Sequence, residues 1–381
     1  MSVGFSTLVA VIGAVFFGWM LIRSPMGSRW LDFPVYWEAG RKAIQGLTVY
    51  DVQGHFQYKY SPFIALLFGK AFSSVSFQTA SWVYQKATLF AWVGIFIGLS
   101  RGSALKFLLL LLYFGNALKL DLALGQMNAW VLILLLALFT EIDEPKLSPA
   151  HCSFSMRFRK DILFGLLFSF AVQLKLFALV LIPLLLLRRE YRKIAFGLLS
   201  LPLLSIGGYA LSHGFQASLA ENSRWLSSLS SSTDVLLLSP QNVGLLGTAS
   251  KIFGLLAGKA VWGIIGIGFL FALYRGRSRS NEWFRNRLLF AIAFFNPLVW
   301  SYWILFTMPL FVEKISRLQL PRPKFYRIAF VFTALFVFAA FVSQHATWAW
   351  QGGLFAALAI LGVFDPAPLT PADHEVFSRS P

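Results

Sequence analysis

Asp32 is the residue in this chain best placed to do chemistry. It stands in the segment Leu31-Asp32-Phe33-Pro34, directly before a run of residues with helical periodicity. A carboxylate at that position can cap the helix by accepting hydrogen bonds from the first free backbone amides. It can also act as a general base that takes a proton from an attacking hydroxyl. The local sequence favours the cap, and the two roles are compatible because a cap fixes the position of the carboxylate.

The run from Val35 to Gln45 predicts the helix that positions Asp32. At about 100° per residue, its apolar residues share a broad arc and its polar residues share the narrower remainder. Such an amphipathic helix suits the membrane interface, with its aromatic residues at the headgroup level. Pro34 fits the first turn and Gly46 would end the helix. The apolar arc holds Val35, Tyr36, Trp37, Ala39, Gly40, Ala43 and Ile44, and the polar arc holds Glu38, Arg41, Lys42 and Gln45.

The composition indicates a membrane protein built of helices. Hydrophobic residues make up 57% and charged residues 13% of the 381, far from the balance of soluble domains. Several segments, such as Phe5 to Ile22 and Leu105 to Leu118, carry almost no charge. We therefore predict an all-α, polytopic transmembrane bundle of about twelve spans. One domain would cover residues 1–364, with a first outer loop at 23–62 and a large one at 213–251, and residues 365–381 would form a loose cytoplasmic tail.

The net charge of +17 is explained by topology. If the N-terminus is cytoplasmic, most Lys and Arg residues fall in the connections on the cytoplasmic side, as the positive-inside rule requires. These clusters could also bind anionic lipid, but the rule alone predicts them. We expect membrane lipids and no nucleic acid as partners. We expect the protein to lie in a bacterial inner membrane, with both termini on the cytoplasmic side. The single cysteine, Cys152, excludes an intrachain disulfide.

The connections predicted on the outer side are longer and chemically mixed, which places the function there. The Ser-rich stretch from Glu221 to Asp234 predicts a mobile lid or a simple linker. Lys119 and Asp121 are neighbours near a predicted loop, where simple solvation would account for them. His55 and His345 have no ligand-like spacing around them, so a metal site is improbable. We predict no cofactor, but the sequence does not exclude a divalent metal.

The first predicted loop carries a family resemblance. Its residues resemble the first-loop signature of glycosyltransferase family 87, whose members are GT-C-type integral membrane enzymes that use polyprenyl-phosphate mannose. Spacing and order agree, with Ser61 in place of the signature's first proline. The matching residues are Asp32-Phe33, Tyr36, Ala39, Gly46, Tyr50-Asp51, Phe56, Tyr58 and Tyr60-Ser61-Pro62.

Later segments resemble the same family less specifically. Gly125-Gln126-Met127-Asn128 is similar to its Gly-Gln-x-Asn element, and Lys175 to the lysine at a helix entrance. Ser239 to Asn242 resembles an Asn-Gln-Ser region only loosely. Asn296 to Trp300 resembles a Ser-Pro-x-Ser-Trp motif, but Ser301-Tyr302-Trp303 stand where Asp and His are expected. That departure could mean a different acceptor or donor sugar, altered proton handling or an inactive relative.

The resemblance implies an inverting GT-C mechanism in which Asp32 deprotonates the acceptor hydroxyl. The leaving lipid phosphate then needs cationic partners. Lys175 is the strongest candidate because it lies among apolar residues, although a lysine there could also snorkel to the interface. Gln126 and Asn128 could bind sugar or join helices. The donor-phosphate candidates are Lys175, Lys59 and Arg224, and the substrate-binding candidates are Tyr36, Tyr58, Tyr60, Gln126, Asn128, Gln241, Asn242, Asn296 and Trp300.

Together these patterns predict a glycosyltransferase that moves a sugar, with mannose as the family expectation, from a polyprenyl-phosphate donor to a lipid or glycan acceptor at the outer membrane face. The chain lacks a Rossmann Gly-x-Gly-x-x-Gly motif and an obvious Asp-x-Asp pair, which a lipid-phosphate donor permits. The alternatives are a multi-span lipid or polysaccharide transporter and an inactive scaffold that binds polyprenyl lipid. A transporter should show polar residues through the whole bilayer, whereas here they concentrate at one side.

Overall fold

A computed structural model describes residues 7, 11–18, 32–50, 58–143, 154–239, 242, 244–276 and 279–317. Within these residues the chain is helical and contains no strand, so the prediction of an all-α fold is confirmed. The predicted tail at 365–381 lies outside the described residues, as do parts of the predicted first outer loop.

The helices follow one another with short connections. Short 3₁₀ helices at Leu176–Val180 and Ser301–Thr307 and a π-helical turn at Leu203–Gly207 interrupt the α-helices. The α-helices are α1 Phe33–Ile44, α2 Pro62–Phe72, α3 Phe77–Ser100, α4 Ala104–Leu124, α5 Asn128–Asp143, α6 Phe154–Leu174, α7 Leu181–Leu187, α8 Tyr191–Pro202, α9 Gly208–His213, α10 Phe215–Leu236, α11 Leu245–Phe253, α12 Leu255–Arg275, α13 Asn281–Phe295 and α14 Met308–Arg317.

Four helical stretches are long and apolar enough to cross a membrane by length and composition. They are Phe77–Ser100, Ala104–Leu124, Tyr191–His213 and Leu255–Arg275. Shorter apolar helices, including Asn128–Glu141 and Leu176–Leu187, pack beside them. The structure therefore supports a membrane protein, whereas the total of about twelve spans stays a prediction.

The bundle has two chemically different ends, and α3 connects them over about 36 Å. Near the start of α3, the Tyr84 hydroxyl donates to the carbonyl of Gln126 at 3.2 Å. Just beyond the other end of α3, Arg101 pairs with Glu282 at 3.3 Å. We call the first the site end and the second the basic end. The basic end also holds Lys106 and Arg285. The side of the membrane that this end faces stays a prediction.

Helix α1 confirms the helix predicted after Asp32. It has Pro34 in its first turn and is followed by Gly46 in the left-handed region at φ 69°. Its apolar face packs on α2, where a Cβ on Gly69 would lie only 2.3 Å from the carbonyl oxygen of Gly40, so only glycine permits this crossing. The apolar arc therefore serves protein packing. The position of α1 relative to a membrane surface stays a prediction.

Helix α10 overturns the prediction of a mobile lid or linker across Glu221 to Asp234. Its polar residues are spaced so that one face meets the rest of the protein: the Ser218 hydroxyl donates to the Ile206 carbonyl at 2.7 Å, and the Asn222 amide donates to the Ser205 carbonyl at 3.2 Å. Trp225 on the same face is buried. Ser228 within the stretch is buried as well, whereas Ser227, Ser230 and Ser231 are exposed, so the stretch forms part of a helix with one packed face.

Candidate functional site

The Asp32 side chain is directed away from the helix that it precedes. It makes no side-chain cap, because its backbone is already in the αR region (φ −99°, ψ −32°) and not in the extended region usual for a cap. Its backbone amide donates to the Leu124 carbonyl at 3.2 Å, and its carbonyl accepts from the Tyr36 amide at 3.1 Å. The predicted capping role of the carboxylate is therefore wrong. The carboxylate is available for other partners.

Gln126 is one partner of the Asp32 carboxylate. Its side-chain amide donates to Asp32 Oδ2, and the Tyr302 side chain also hydrogen-bonds to it. The backbone of Gln126 is fixed from two directions, since its amide donates to the Asp121 carbonyl at 3.1 Å and its carbonyl accepts from Tyr84. Gly125, at φ 71°, makes the left-handed turn that ends α4 and presents Gln126 to the site. The Gln126 amide is therefore held in place to orient the carboxylate.

A second carboxylate, Asp121, lies behind the first and is completely buried. One of its oxygens accepts from the Trp92 indole at 2.9 Å, and the other accepts from the Asn128 side-chain amide at 2.6 Å. The Asn128 side-chain oxygen in turn accepts from the Lys175 ammonium at 2.9 Å. Asp121 is thus not solvated near a loop, as the sequence had indicated, because α4 continues through it to Leu124.

Lys175 lies at the break between α6 and the 3₁₀ helix at Leu176–Val180. Its ammonium lies 4.7 Å from the centre of the Trp303 ring and 5.9 Å from that of Phe177. Cation–π contacts of this kind hold a charged group in a partly desolvated place. Lys175 as a whole residue is partly exposed, while Asn128 and Trp303 hold its ammonium in place.

Burial and two nearby cations set the pKa of the Asp32 carboxyl. Asp32 precedes α1 and lies outside the candidate spans. Burial raises the pKa of its carboxyl from 3.8 to about 6, and the positive charges of Lys175 and Lys59 oppose that shift. Burial likewise lowers the pKa of Lys59, with Asp32 opposing. A carboxylate therefore lies within the field of two cations that come from different parts of the chain.

The segment that carries Lys59 is held by buried tyrosines. The Tyr36 and Tyr60 hydroxyls lie 2.8 Å apart, and the Tyr50 hydroxyl donates to the Tyr60 carbonyl at 2.6 Å. The Trp225 indole of α10 donates to the Lys59 carbonyl at 3.0 Å. Tyr58 is also buried. Tyr36, Tyr58 and Tyr60, predicted to bind substrate, thus lie where they position Lys59 beside Asp32.

The other predicted site residues that the structure describes make contacts of their own. Arg224 pairs with Glu221 three residues earlier on α10. Asn242 joins two connections, since its amide donates to the Pro297 carbonyl at 2.8 Å and its side-chain oxygen accepts from the Val299 amide at 3.0 Å. Asn296 accepts from the Leu298 amide at 3.1 Å, and Trp300 is half-buried at the start of a 3₁₀ helix. Asn242, Asn296 and Trp300 support the segment that carries Tyr302 and Trp303. Gln241 lies outside the described residues.

Sequence reasoning did not predict Asp121, Trp92, Tyr302 or Trp303 as parts of this cluster. A signal for Asp121 was present, because an acidic residue in an apolar helix of a membrane protein is costly unless it has partners. The spacing of Asp121 and Asn128 gave no such signal, since the bond between them crosses the turn that joins two helices. Within the described residues, no three His, Cys, Asp or Glu side chains come together as metal ligands would.

Replacing Asp121 with alanine should destabilise the protein. The change leaves the Trp92 indole and the Asn128 amide without their acceptor, and each buried donor without a partner costs about 1–3 kcal/mol. We expect a clear fall in the thermal unfolding midpoint of the protein purified in detergent. Glu38→Ala is the matched control, because Glu38 and its partner Arg41 are both more than half exposed, and an exposed ion pair contributes about 0–1 kcal/mol. Equal midpoints for Asp121→Ala and wild type would contradict the inferred role of Asp121.

The chain's similarity to known proteins covers most of this cluster. The model of glycosyltransferase family 87 matches residues 58–301, more than half of the chain. That range includes Lys59, Asp121, Gln126 and Lys175 and ends just before Tyr302, while Asp32 precedes it. No curated protein and no solved structure matches the chain. On the strength of the family match, the chain belongs to glycosyltransferase family 87 and is a glycosyltransferase.

Proposed function

We propose that this glycosyltransferase moves a sugar, mannose by family expectation, from a polyprenyl-phosphate donor to a lipid or glycan acceptor, with Asp32 as general base. The observation that supports this most is the meeting of Asp32 with Lys59, Gln126 and Lys175. The carboxylate comes from a segment before the family match and the other three from within it. Segments separated by more than a hundred residues therefore build one site around a single carboxylate.

The proposed reaction is a single displacement. Asp32 accepts the proton of the acceptor hydroxyl while the acceptor oxygen forms a bond to the anomeric carbon. The bond between that carbon and the phosphate oxygen breaks, and polyprenyl phosphate leaves with the bonding electron pair. The configuration at the anomeric carbon inverts. Gln126 orients the carboxylate, as a fixed hydrogen-bond donor orients a base in other active sites.

Lys59 and Lys175 stabilise the charge that grows on the leaving phosphate. Fixed cations aimed at developing charge contribute more in a partly desolvated site than in water. Lys175 is fixed by Asn128 and Trp303, and Lys59 by the contact of its backbone with Trp225. Since Tyr302 and Trp303 stand where the family pattern has Asp and His, we infer that this chain uses them to hold Gln126 and Lys175.

The orientation that fits this function places the site end outside and the basic end in the cytoplasm. The positive-inside rule supports it, because Arg101, Lys106 and Arg285 gather at the end opposite Asp32. A bacterial inner membrane with a periplasmic active site is the corresponding location. The donor would then stay in the membrane while its sugar reaches Asp32 from the outer leaflet.

The transfer rate should depend on pH through Asp32. The base must be ionised, so kcat/KM should rise with pH and level off above about pH 6, where the carboxyl loses its proton. The free energy of unfolding should change with pH in the opposite sense. The pKa of Asp32 is higher in the folded protein than the 3.8 of the unfolded chain, so the folded state binds the proton more tightly. This contribution to stability is lost as pH rises from about 4 to about 6.

A membrane assay with radiolabelled polyprenyl-phosphate sugars, run from pH 4.5 to 8, tests both the donor and the base. We expect transfer from at least one such donor and a rate that falls below about pH 6. Activity with nucleotide sugars alone would exclude the proposed donor. A rate that stays constant from pH 4.5 to 8 would exclude a titrating base with the pKa of Asp32.

A further inference from the structure

We propose that a cavity at the basic end binds a lipid with an anionic phosphate headgroup. The cavity has a volume of about 560 Å³ and lies between α3, α4, α5, α13 and α14, at the end of the bundle away from Asp32. A volume of this size is typical of small-molecule sites, which range over about 300–1,000 Å³. This site is separate from the proposed transfer reaction and does not depend on it.

The walls of the cavity suit a hydrocarbon chain. Gly94 and Gly98, one turn apart on α3, face open space, since a Cβ on either would meet nothing within 4 Å. Phe90 on the same helix and Ile133 on α5 line the cavity and are 62% and 37% exposed, so the cavity reaches the outer surface of the bundle. A lipid chain could therefore enter sideways from the bilayer and bury apolar surface against these helices.

The charged lining suits an anionic headgroup. Arg101, Lys106 and Arg285 bring three positive charges. The guanidinium groups of Arg101 and Arg285 both lie 3.3 Å from the same carboxylate oxygen of Glu282. Two positive charges therefore share one negative charge. The second acidic residue of the lining, Glu313, pairs with Arg287 and accepts a hydrogen bond from Asn286. Positive charge is therefore in excess around the cavity.

The backbone at Arg101 adds an independent observation. Arg101 ends α3 with φ 47° and ψ 44°, in the left-handed region where glycine is usual. Gly102 follows at φ 72°. A residue with a side chain in this conformation is strained, and such strain persists where the surrounding structure needs the side chain in one place. Here the conformation brings the guanidinium of Arg101 to Glu282 on α13, beside the cavity.

The apolar walls and the positively charged lining together select the class of ligand. Arginine and lysine bind phosphate through charge-assisted hydrogen bonds, and a phosphate in a lipid headgroup lies at the depth where a helix leaves the membrane. A soluble phosphate compound would gain the headgroup contacts but bury no chain. A zwitterionic lipid would contact the apolar walls with its chains but carries no net negative charge. An anionic lipid with a phosphate headgroup contacts the walls with its chains and the charged lining with its phosphate.

Native mass spectrometry of the full chain, released from detergent with added lipid, tests the proposal. The probes are phosphatidylglycerol, phosphatidylcholine and the soluble headgroup glycerol 1-phosphate. We expect phosphatidylglycerol to be retained at least tenfold more than either of the others. Equal retention of phosphatidylglycerol and phosphatidylcholine would overturn the charge argument, and equal binding of glycerol 1-phosphate would overturn the role of the apolar walls.

Two variants locate the binding. The double change Arg101→Gln with Lys106→Gln removes two positive charges, and Gly98→Leu fills the cavity without adding charge. Each should reduce retention of phosphatidylglycerol about tenfold, with an unchanged size-exclusion profile as proof of folding. The double change Arg192→Gln with Lys193→Gln is the matched control, because it also removes two positive charges and both residues lie outside the cavity lining. A loss in this control as large as that in the Arg101 and Lys106 double variant would show nonspecific attraction and overturn the proposal.

Discussion

Asp32→Asn is expected to reduce the rate of sugar transfer by about 100- to 10,000-fold, the usual contribution of a general base. Asparagine has nearly the same size but cannot accept the proton of the acceptor hydroxyl. The fold should survive, because the helix contacts of Asp32 run through its backbone amide and carbonyl and its side chain makes no cap. Transfer from a labelled polyprenyl-phosphate sugar into lipid extract measures the effect.

Glu38→Gln provides the matched control for this substitution. Glu38 lies on the helix that follows Asp32, six residues further along the chain, and its side chain is 54% exposed beside Arg41. The two variants therefore lose the same charge from neighbouring positions, and only Asp32→Asn loses it from the site. We expect Glu38→Gln to transfer at the wild-type rate. A folded Asp32→Asn protein that also transfers at the wild-type rate would remove Asp32 from the mechanism.

Lys175→Met is expected to lower kcat by about 100- to 1,000-fold, the range found when a fixed partner of developing negative charge is removed. Methionine keeps much of the length and the apolar stem but leaves the Asn128 oxygen and the Trp303 ring without the ammonium. Because charge on the leaving phosphate grows only as the bond breaks, kcat should fall about as much as kcat/KM. A merely structural lysine would instead lower the amount of folded protein.

Two further variants separate the charge of Lys175 from its packing. Lys175→Arg keeps the positive charge and should recover part of the rate lost in Lys175→Met. Lys119→Met makes the same substitution at an exposed lysine of the same protein and should leave the rate unchanged. If Lys175→Met raises KM without changing kcat, Lys175 binds the ground state only, and the inferred contact with the leaving phosphate would be wrong.

The sequence was most informative where local rules decide the structure. The helix after Asp32, its proline in the first turn and the glycine after its end all follow from periodicity and backbone preference, and the structure has them at Phe33–Ile44 and Gly46. Arg101, Lys106 and Arg285 do meet around one cavity, whereas the orientation of the chain in the membrane stays a prediction. Gln126 and Lys175 were found because motif resemblance marked them, and the structure brings both to Asp32.

Tertiary packing decided the features that sequence reasoning missed. Asp121 looked solvated because it stands beside Lys119, but a helix that continues to Leu124 turns the two side chains to different surroundings. The Ser-rich stretch of α10 indicated a linker, yet it continues a helix that packs through Ser218 and Asn222 against the turn at Ser205 and Ile206. Arg224 pairs with Glu221 three residues earlier, and its role at the donor phosphate stays a prediction. The contacts of Asp121 and of α10 have no local sequence signal strong enough to predict them.

The stereochemistry of transfer tests the proposed mechanism most directly. The product formed from a polyprenyl-phosphate sugar of known anomeric configuration can be isolated and its new glycosidic bond assigned by nuclear magnetic resonance. A single displacement with Asp32 as the base predicts complete inversion at the anomeric carbon. Retention of configuration would require a covalent or second-displacement step and would contradict the role proposed for Asp32.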